Sequence, residues 1–212
     1  KGHTLSEEDL FYAMPCQEDQ LDVSKIDMVL GSALEVAKSR NEKLCLENII
    51  NKTDDETHKI CDSVREVLEH AKIPVTPKDK CEISCHYGLE NFERYGAFII
   101  DKVNREYCKK LIVMLPGQKH PEHYHIRKEE TFELIHGDCS IAVKGKTVDL
   151  KLGEPFLIVR NVPHAFQTLN GCVIEEVSTT HHRGDSIYTD PSILRKEVKD
   201  RKVTCNIYRK KI

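Results

Sequence analysis

Gly117-x5-His123-x-His125-x4-Glu130-x6-Gly137 is the stretch on which the reading of this chain turns. Residues two apart on a strand share a face, so His123 and His125 project together and Tyr124 projects the other way. Glu130 returns on the next strand after a turn. Gly153 then opens a second hairpin that ends in Pro163-His164. His123, His125, Glu130 and His164, converging inside a barrel, would offer three imidazoles and one carboxylate. Such a set suits one divalent transition metal and leaves coordination positions open for water or substrate. Mn, Fe, Ni and Zn all accept these donors, and the absence of a thiol favours none of them.

The surroundings of the motif are strand-rich. Runs 97–103, 110–115, 131–135, 140–143, 148–152, 156–159 and 173–178 are short and rich in branched residues. Pro116-Gly117, Gly137-Asp138, Gly145, Gly153, Asn161 and Asn170-Gly171 punctuate them. Many short strands at this spacing indicate a sandwich or barrel. Seven of the 11 histidines fall between His120 and His182, which places the chemistry in the second half.

Composition narrows the function classes. With 212 residues the chain holds one large domain or two small ones. A net charge of −3 gives no general pull toward nucleic acid or an anionic membrane. No apolar run reaches the roughly 18 residues of a membrane span. The nine cysteines are irregularly spaced, apart from Cys81-x3-Cys85, and point to reduced thiols in a cytoplasmic protein. Cys81 and Cys85 alone are a weak metal pair.

The first fifty residues read as a small unit of their own. Ser6 can cap a short turn through Glu7, Glu8 and Asp9, and Leu44-Cys45-Leu46-Glu47-Asn48-Ile49 weakly echoes that start. The polar run 51–57 marks a boundary. Ile60, Val64, Val67, Leu68 and Ala71 then recur at helical spacing, predicting a helix from Thr57 to about Ala71 that ends before Pro74.

The His123–Gly137 spacing matches the first part of the cupin signature, a resemblance that implies a mainly β, jelly-roll (double-stranded β-helix) barrel. The six-residue gap to Gly137 selects Glu130 over Glu129, and Pro163-His164 keeps the essential ligand of a second part that otherwise departs from the signature. The segments Ile83-Ser84-Cys85-His86-Tyr87-Gly88-Leu89-Glu90-Asn91-Phe92, Asn104-Arg105-Glu106-Tyr107-Cys108, Glu175-Glu176-Val177-Ser178-Thr179-Thr180-His181-His182 and Asp185-Ser186-Ile187-Tyr188 go further. They resemble the cupin tail of bacterial sialic acid (N-acetylneuraminate) synthase-like proteins. Lys1-Gly2-x-x-Leu5-Ser6-x-x-Asp9-Leu10 with Met14-Pro15 resembles the antifreeze-like (SAF) domain of the same proteins. That resemblance implies an SAF module at 1–52, a linker and connecting helix at 53–78 and a metal-binding cupin domain at 79–212. It also implies a synthase TIM barrel upstream, a sugar or sugar acid ligand, a homodimer and a place in cell-surface carbohydrate biosynthesis.

A second resemblance competes with it. Pro116-Gly117-Gln118-Lys119-x-Pro121-x-His123-x-His125 is similar to D-lyxose-isomerase-type cupins, which implies a freestanding metal-dependent sugar isomerase or epimerase. A non-catalytic sugar-binding regulator is the third possibility. Two further residues are candidates for chemistry. Strand alternation puts Lys119 on the face of His123 and His125, where it could steady an alkoxide or carboxylate. Glu176, on the face of Ile174 and Ser178, could shuttle a proton between neighbouring sugar carbons.

Overall fold

The computed structural model describes residues 2–12, 20–21, 23, 26–30, 33–34, 37–45, 49–50, 52–197 and 200–208. The chain divides into two compact units, Lys1–His58 and Lys59–Arg209. The division falls inside a helix, between the expected boundaries at 52/53 and 78/79.

In the first unit, Asp9 accepts hydrogen bonds from the Ser6 backbone N–H (2.8 Å) and from its hydroxyl (2.7 Å), closing the turn Glu7–Asp9. The unit also has helix α1 (Ile26–Val29) and an antiparallel pair, β1 (Ala33–Leu34) with β2 (Ile49–Ile50). Leu5, Val29 and Leu34 form its small apolar cluster. Met14-Pro15 and Leu46-Glu47-Asn48, used in the sequence reading of this region, lie outside the described residues.

Helix α2 (Lys52–His70) begins five residues earlier than its apolar periodicity alone predicts. Most of the polar run 51–57 falls in its first two turns, where Asp55 and Glu56 lie toward the positive end of the helix dipole.

The second unit is built from strands: β3 (Lys80–Ser84), β4 (Ala97–Asn104), β5 (Tyr107–Met114), β6 (Lys119–His125), β7 (Glu130–Gly137), β8 (Ser140–Val143) and β9 (Lys146–Asp149). They are followed by β10 (Pro155–Ile158), β11 (His164–Gln167), β12 (Cys172–Thr179), β13 (Ser186–Tyr188) and β14 (Lys202–Cys205). Short helices α3 (Phe92–Tyr95) and α4 (Pro191–Leu194) interrupt them. A seven-stranded sheet runs β10-β7-β12-β5-β4-β3-β14 and a five-stranded sheet runs β13-β6-β11-β8-β9. Every named pairing is antiparallel. This is a sandwich or barrel of the kind the strand spacing indicates, with the mainly β architecture that the cupin resemblance implies.

The large sheet is covered on both faces. Leu111 and Val113 of β5 pack with Phe98, Ile100 and the α2 residues Ile60, Val64 and Leu68. Ile112 and Met114, one position out of phase, pack with Phe132, Ile174, Ile141 and Phe166 toward the second sheet. Burial on both sides is why Leu111-Ile112-Val113-Met114 is an unbroken apolar run and not an alternating one. Gly137 ends the motif because its φ is +79° and a Cβ there would lie 2.0 Å from the Gly171 carbonyl oxygen.

The eight described cysteines are all free. Cys81 and Cys85 lie in the apolar core, where burial pushes both thiols up to about 11. No helix among the described residues is long and apolar enough to cross a membrane.

Leu68 is 3% exposed and sits between α2 and the large sheet. Leu68→Ala should therefore lower unfolding stability by about 2–5 kcal/mol in urea titration. A loss under about 0.5 kcal/mol, the range of a surface change, would mean that α2 does not share this core.

Candidate metal centre

Pairing between β6 and its neighbours brings the histidines together. His123 sits opposite His164 of β11 on one side and Tyr188 of β13 on the other. His125 follows two residues later on the same face. Glu130 opens β7 in the facing sheet. The ligating atoms of His123, His125 and His164 all lie within 4.8 Å of one another, and all three residues are buried. Among the described residues, no other group of ligating side chains is close enough to share an ion. The chain thus carries a site able to hold one divalent metal.

The local backbone fixes which nitrogen faces inward. His123 Nδ1 is 3.0 Å from the Pro121 carbonyl oxygen, His164 Nδ1 is 3.0 Å from that of Val162, and His125 Nδ1 is 3.1 Å from that of Asp185. A carbonyl oxygen only accepts, so each Nδ1 carries the proton and each Nε2 presents a lone pair. His125 Nε2 lies 3.2 Å from Glu130 Oε1 and His164 Nε2 lies 3.3 Å from Glu130 Oε2. His125 Nε2, His164 Nε2 and Glu130 Oε2 are buried without a hydrogen-bond partner. Lone pairs facing carboxylate oxygens in a closed site are costly unless a cation lies among them. These orphaned atoms are the observation that fits the residues to a metal.

Charge around the cluster is arranged by burial and by one lysine. Burial, reinforced by the neighbouring imidazoles, holds His123 well below the usual imidazole range. Burial alone would raise the Glu130 carboxyl, but opposing interactions, the Lys128 ammonium among them, hold it well below the usual carboxylate range. Lys128 Nζ lies 2.5 Å from Glu130 Oε1 and 2.9 Å from Glu176 Oε1. Burial would lower Lys128, but the two carboxylates prevail and raise it. Ser178 Oγ also donates to Glu176 Oε1 at 2.9 Å.

Lys128 lies in the connection between β6 and β7. It turns inward because Asp185 accepts the backbone N–H groups of Arg127 (3.1 Å) and Lys128 (3.0 Å), folding the loop after β6 back over the site. Glu176 is buried on β12 and lines the same cavity.

Lys119 does not join the site. The pairing of β6 with β11 runs His164 to His123 and then Phe166 to His120, so the register slips between them. This bulge, next to Pro121, reverses the alternation. Lys119 is exposed, and His120 takes the inward place that simple alternation had given it.

His120 belongs to a second buried cluster that the sequence did not reveal. His86 Nε2 lies 2.9 Å from Ser84 Oγ, 2.9 Å from Tyr188 OH and 3.2 Å from His120 Nε2. Burial, then neighbouring positive groups, holds His86 down to about 2 and His120 down to about 3. Tyr188 stacks on His123 with ring centroids 5.3 Å apart, joining this cluster to the metal site.

The space beside these groups has two parts. An inner cavity of about 50 Å³ is lined by the histidines, Lys128, Glu130, Glu176 and an apolar floor including Phe132 and Phe166. His181, Ser186, Tyr188 and Lys202 also line an outer cavity of about 410 Å³.

The barrel, the paired histidines and the facing carboxylate define a metal-site cupin, and the cupin domain family matches residues 110–174. Its relatives are more specific. The chain is 31% identical over 167 residues to the D-lyxose/D-mannose isomerase of Thermosediminibacter oceani, covering 65% of this chain and 92% of that protein. It is 28% identical over 168 residues to the D-lyxose ketol-isomerase of Cohnella laeviribosi, again covering 65% and 92%. Its fold is similar to Cellulomonas parahominis L-ribose isomerase with L-ribose, with a TM-score of 0.58, 17% identity and coverage of 66% and 94%. The chain belongs to the D-lyxose isomerase family of cupins.

This overturns the sialic acid synthase reading, together with the SAF assignment of residues 1–52 and the place in N-acetylneuraminate synthesis. The expected upstream synthase barrel loses the resemblance on which it rested. The physical reason lies in what the quoted segments build. Ile83-Ser84 is β3, Asn104 to Cys108 is the β4–β5 hairpin and Glu175 to Thr179 is β12. They specify a barrel, and a barrel does not choose the reaction.

The buried neutral histidines give a pH prediction. A histidine at about 6.5 when unfolded and about 2 when folded keeps its full contribution above pH 6.5. Below that, the unfolded state binds the extra proton, and stability falls by about 1.4 kcal/mol per pH unit. Chelator-treated wild type should thus lose stability between pH 6.5 and 5 more steeply than His86→Gln. Equal slopes would show that His86 is charged in the folded protein.

Proposed function

We propose that this protein is a metal-dependent aldose–ketose isomerase acting on a monosaccharide. The observation that carries the reading is the set of orphaned inward atoms on His125, His164 and Glu130 beside a buried Glu176. The activities named for its relatives, D-lyxose and D-mannose isomerisation, support it.

In this reading His123, His125 and His164 give Nε2 to the metal and Glu130 gives Oε2. When bound, the metal polarises the carbonyl and adjacent hydroxyl of the open-chain sugar as a Lewis acid. Glu176 takes the proton from C2 and returns it to C1. The O2 hydroxyl proton passes to O1, so the C1 carbonyl becomes a hydroxyl and C2 becomes the carbonyl. Lys128 and Ser178 both hold Glu176 Oε1, which fixes the carboxylate beside the metal. Lys128 also holds Glu130 Oε1, leaving Oε2 as the ligating oxygen. Phe132 and Phe166 keep water from the reacting carbons.

The free state of the described cysteines supports a reducing, cytoplasmic setting for this chemistry. The homodimer is supported by Leu157 and Val177, exposed in one cross-strand row through Thr131 on the outer face of the large sheet.

Elemental analysis should find one divalent ion per chain in the wild type and none in His123→Ala/His125→Ala; full occupancy in that double variant refutes the ligand set. With Mn²⁺, Fe²⁺, Ni²⁺ and Zn²⁺ supplied separately, D-lyxose and D-mannose should be converted to ketoses. Substrate hydrogen should exchange with deuterated water, and Glu176→Gln should slow that exchange about 100-fold or more while retaining metal. Undiminished exchange in Glu176→Gln would remove it from the proton path.

A further inference from the structure

The inner cavity of about 50 Å³ is far below the roughly 300–1,000 Å³ of a ligand pocket, so a sugar whose reacting end enters it extends beyond it. The rest of the molecule must lie in the outer cavity of about 410 Å³, which shares His181, Ser186, Tyr188 and Lys202 with it. That outer wall is cationic: Arg183, Arg201 and Lys202 line it against one carboxylate, Glu82. Glu82 is already paired with Lys202. Among the described residues, no carboxylate pairs with either arginine. Arg201 lies with its guanidinium carbon 5.1 Å from the centroid of the Tyr188 ring, and its Nε is buried without a hydrogen-bond partner. A neutral sugar chain has no use for two unpaired guanidinium groups at its far end. A dianionic group matches them in charge and, through their forked N–H donors, in geometry.

We propose that the outer cavity is a phosphate subsite, and that the sugar handled at the metal centre is a phosphomonoester at the carbon farthest from its carbonyl. Arg183 and Arg201 bind the phosphate oxygens, with Lys202 adding charge at the junction of the two cavities. The inference rests on the isomerase reading for which end of the sugar enters first, but its binding step stands apart from turnover.

The test has a binding arm and a kinetic arm. In the binding arm, metal-free protein is titrated calorimetrically with inorganic phosphate, D-mannose 6-phosphate, D-mannose and D-mannuronate. D-Mannose 6-phosphate should bind at least about tenfold more tightly than D-mannose, a difference that Arg183→Gln/Arg201→Gln abolishes. Arg183 is exposed, so Arg183→Gln alone serves as the check should the double variant fail to fold. Binding of D-mannuronate equal to that of the 6-phosphate would overturn the phosphomonoester in favour of a carboxylate. In the kinetic arm, metal-loaded protein is given D-lyxose and D-mannose beside their 5- and 6-phosphates. The phosphates should show KM values about tenfold or more below the free sugars, with inorganic phosphate competing. Isomerisation of free sugars with no preference for phosphates overturns this proposal and leaves the isomerase reading intact. Tight, arginine-dependent binding of the 6-phosphate without isomerisation does the reverse.

Discussion

Three hydrogen bonds from imidazole to backbone set up everything else at this site. Each of His123, His125 and His164 gives its Nδ1 proton to a carbonyl, two of them to the residue two positions earlier. A rotated ring would lose that bond inside a closed site and gain none, so the three Nε2 atoms are held inward. The strand pairing supplies position, and the carbonyls supply direction and tautomer. The cost is a cluster of lone pairs that the folded protein cannot satisfy from its own donors. Stability is therefore given up locally to hold a geometry ready for an ion.

Lys128 keeps that arrangement from collapsing onto itself. Without it, Glu130 and Glu176 would share a low-dielectric space in which the neighbouring ammonium, Lys110, is already paired with Asp101. By engaging Oε1 of both, it offsets one of the two negative charges and spaces them. Its own placement depends on Asp185, which also supplies the carbonyl for His125. One residue near β13 thereby fixes a ligand and the lysine at once. Substitution at Asp185 would disturb both the metal site and the carboxylates, since its own carboxylate also lies 3.8 Å from His125 Nδ1.

The legible part of the site was the part encoded by strand period. His123 and His125 two apart, Glu130 at the head of the next strand and Glu176 in phase with Ile174 and Ser178 all follow from alternation. The same rule failed at Lys119, because one slip in register beside Pro121 reverses every residue before it. Lys128 was illegible for a different reason. It sits in a loop, and its direction comes from a residue 57 positions away. The His86–His120–Tyr188 cluster joins three separate strand regions and has no local pattern at all. The early start of α2 shows local polarity misread as a boundary where it was a helix terminus.

The barrel was readable and the reaction was not, for a connected reason. Strand-forming segments recur wherever the same sheet must be built, so they report the scaffold shared by many cupins. Residues that decide chemistry reach the site from loops and strand ends, where spacing is free. Arg183 lies in the β12–β13 connection, and Arg201 sits at the entry to β14. Neither belongs to a motif, and both line the outer cavity beside the site. In this fold the ion's place is written by period and the lining of the outer cavity by the connections, so the two can change independently of each other.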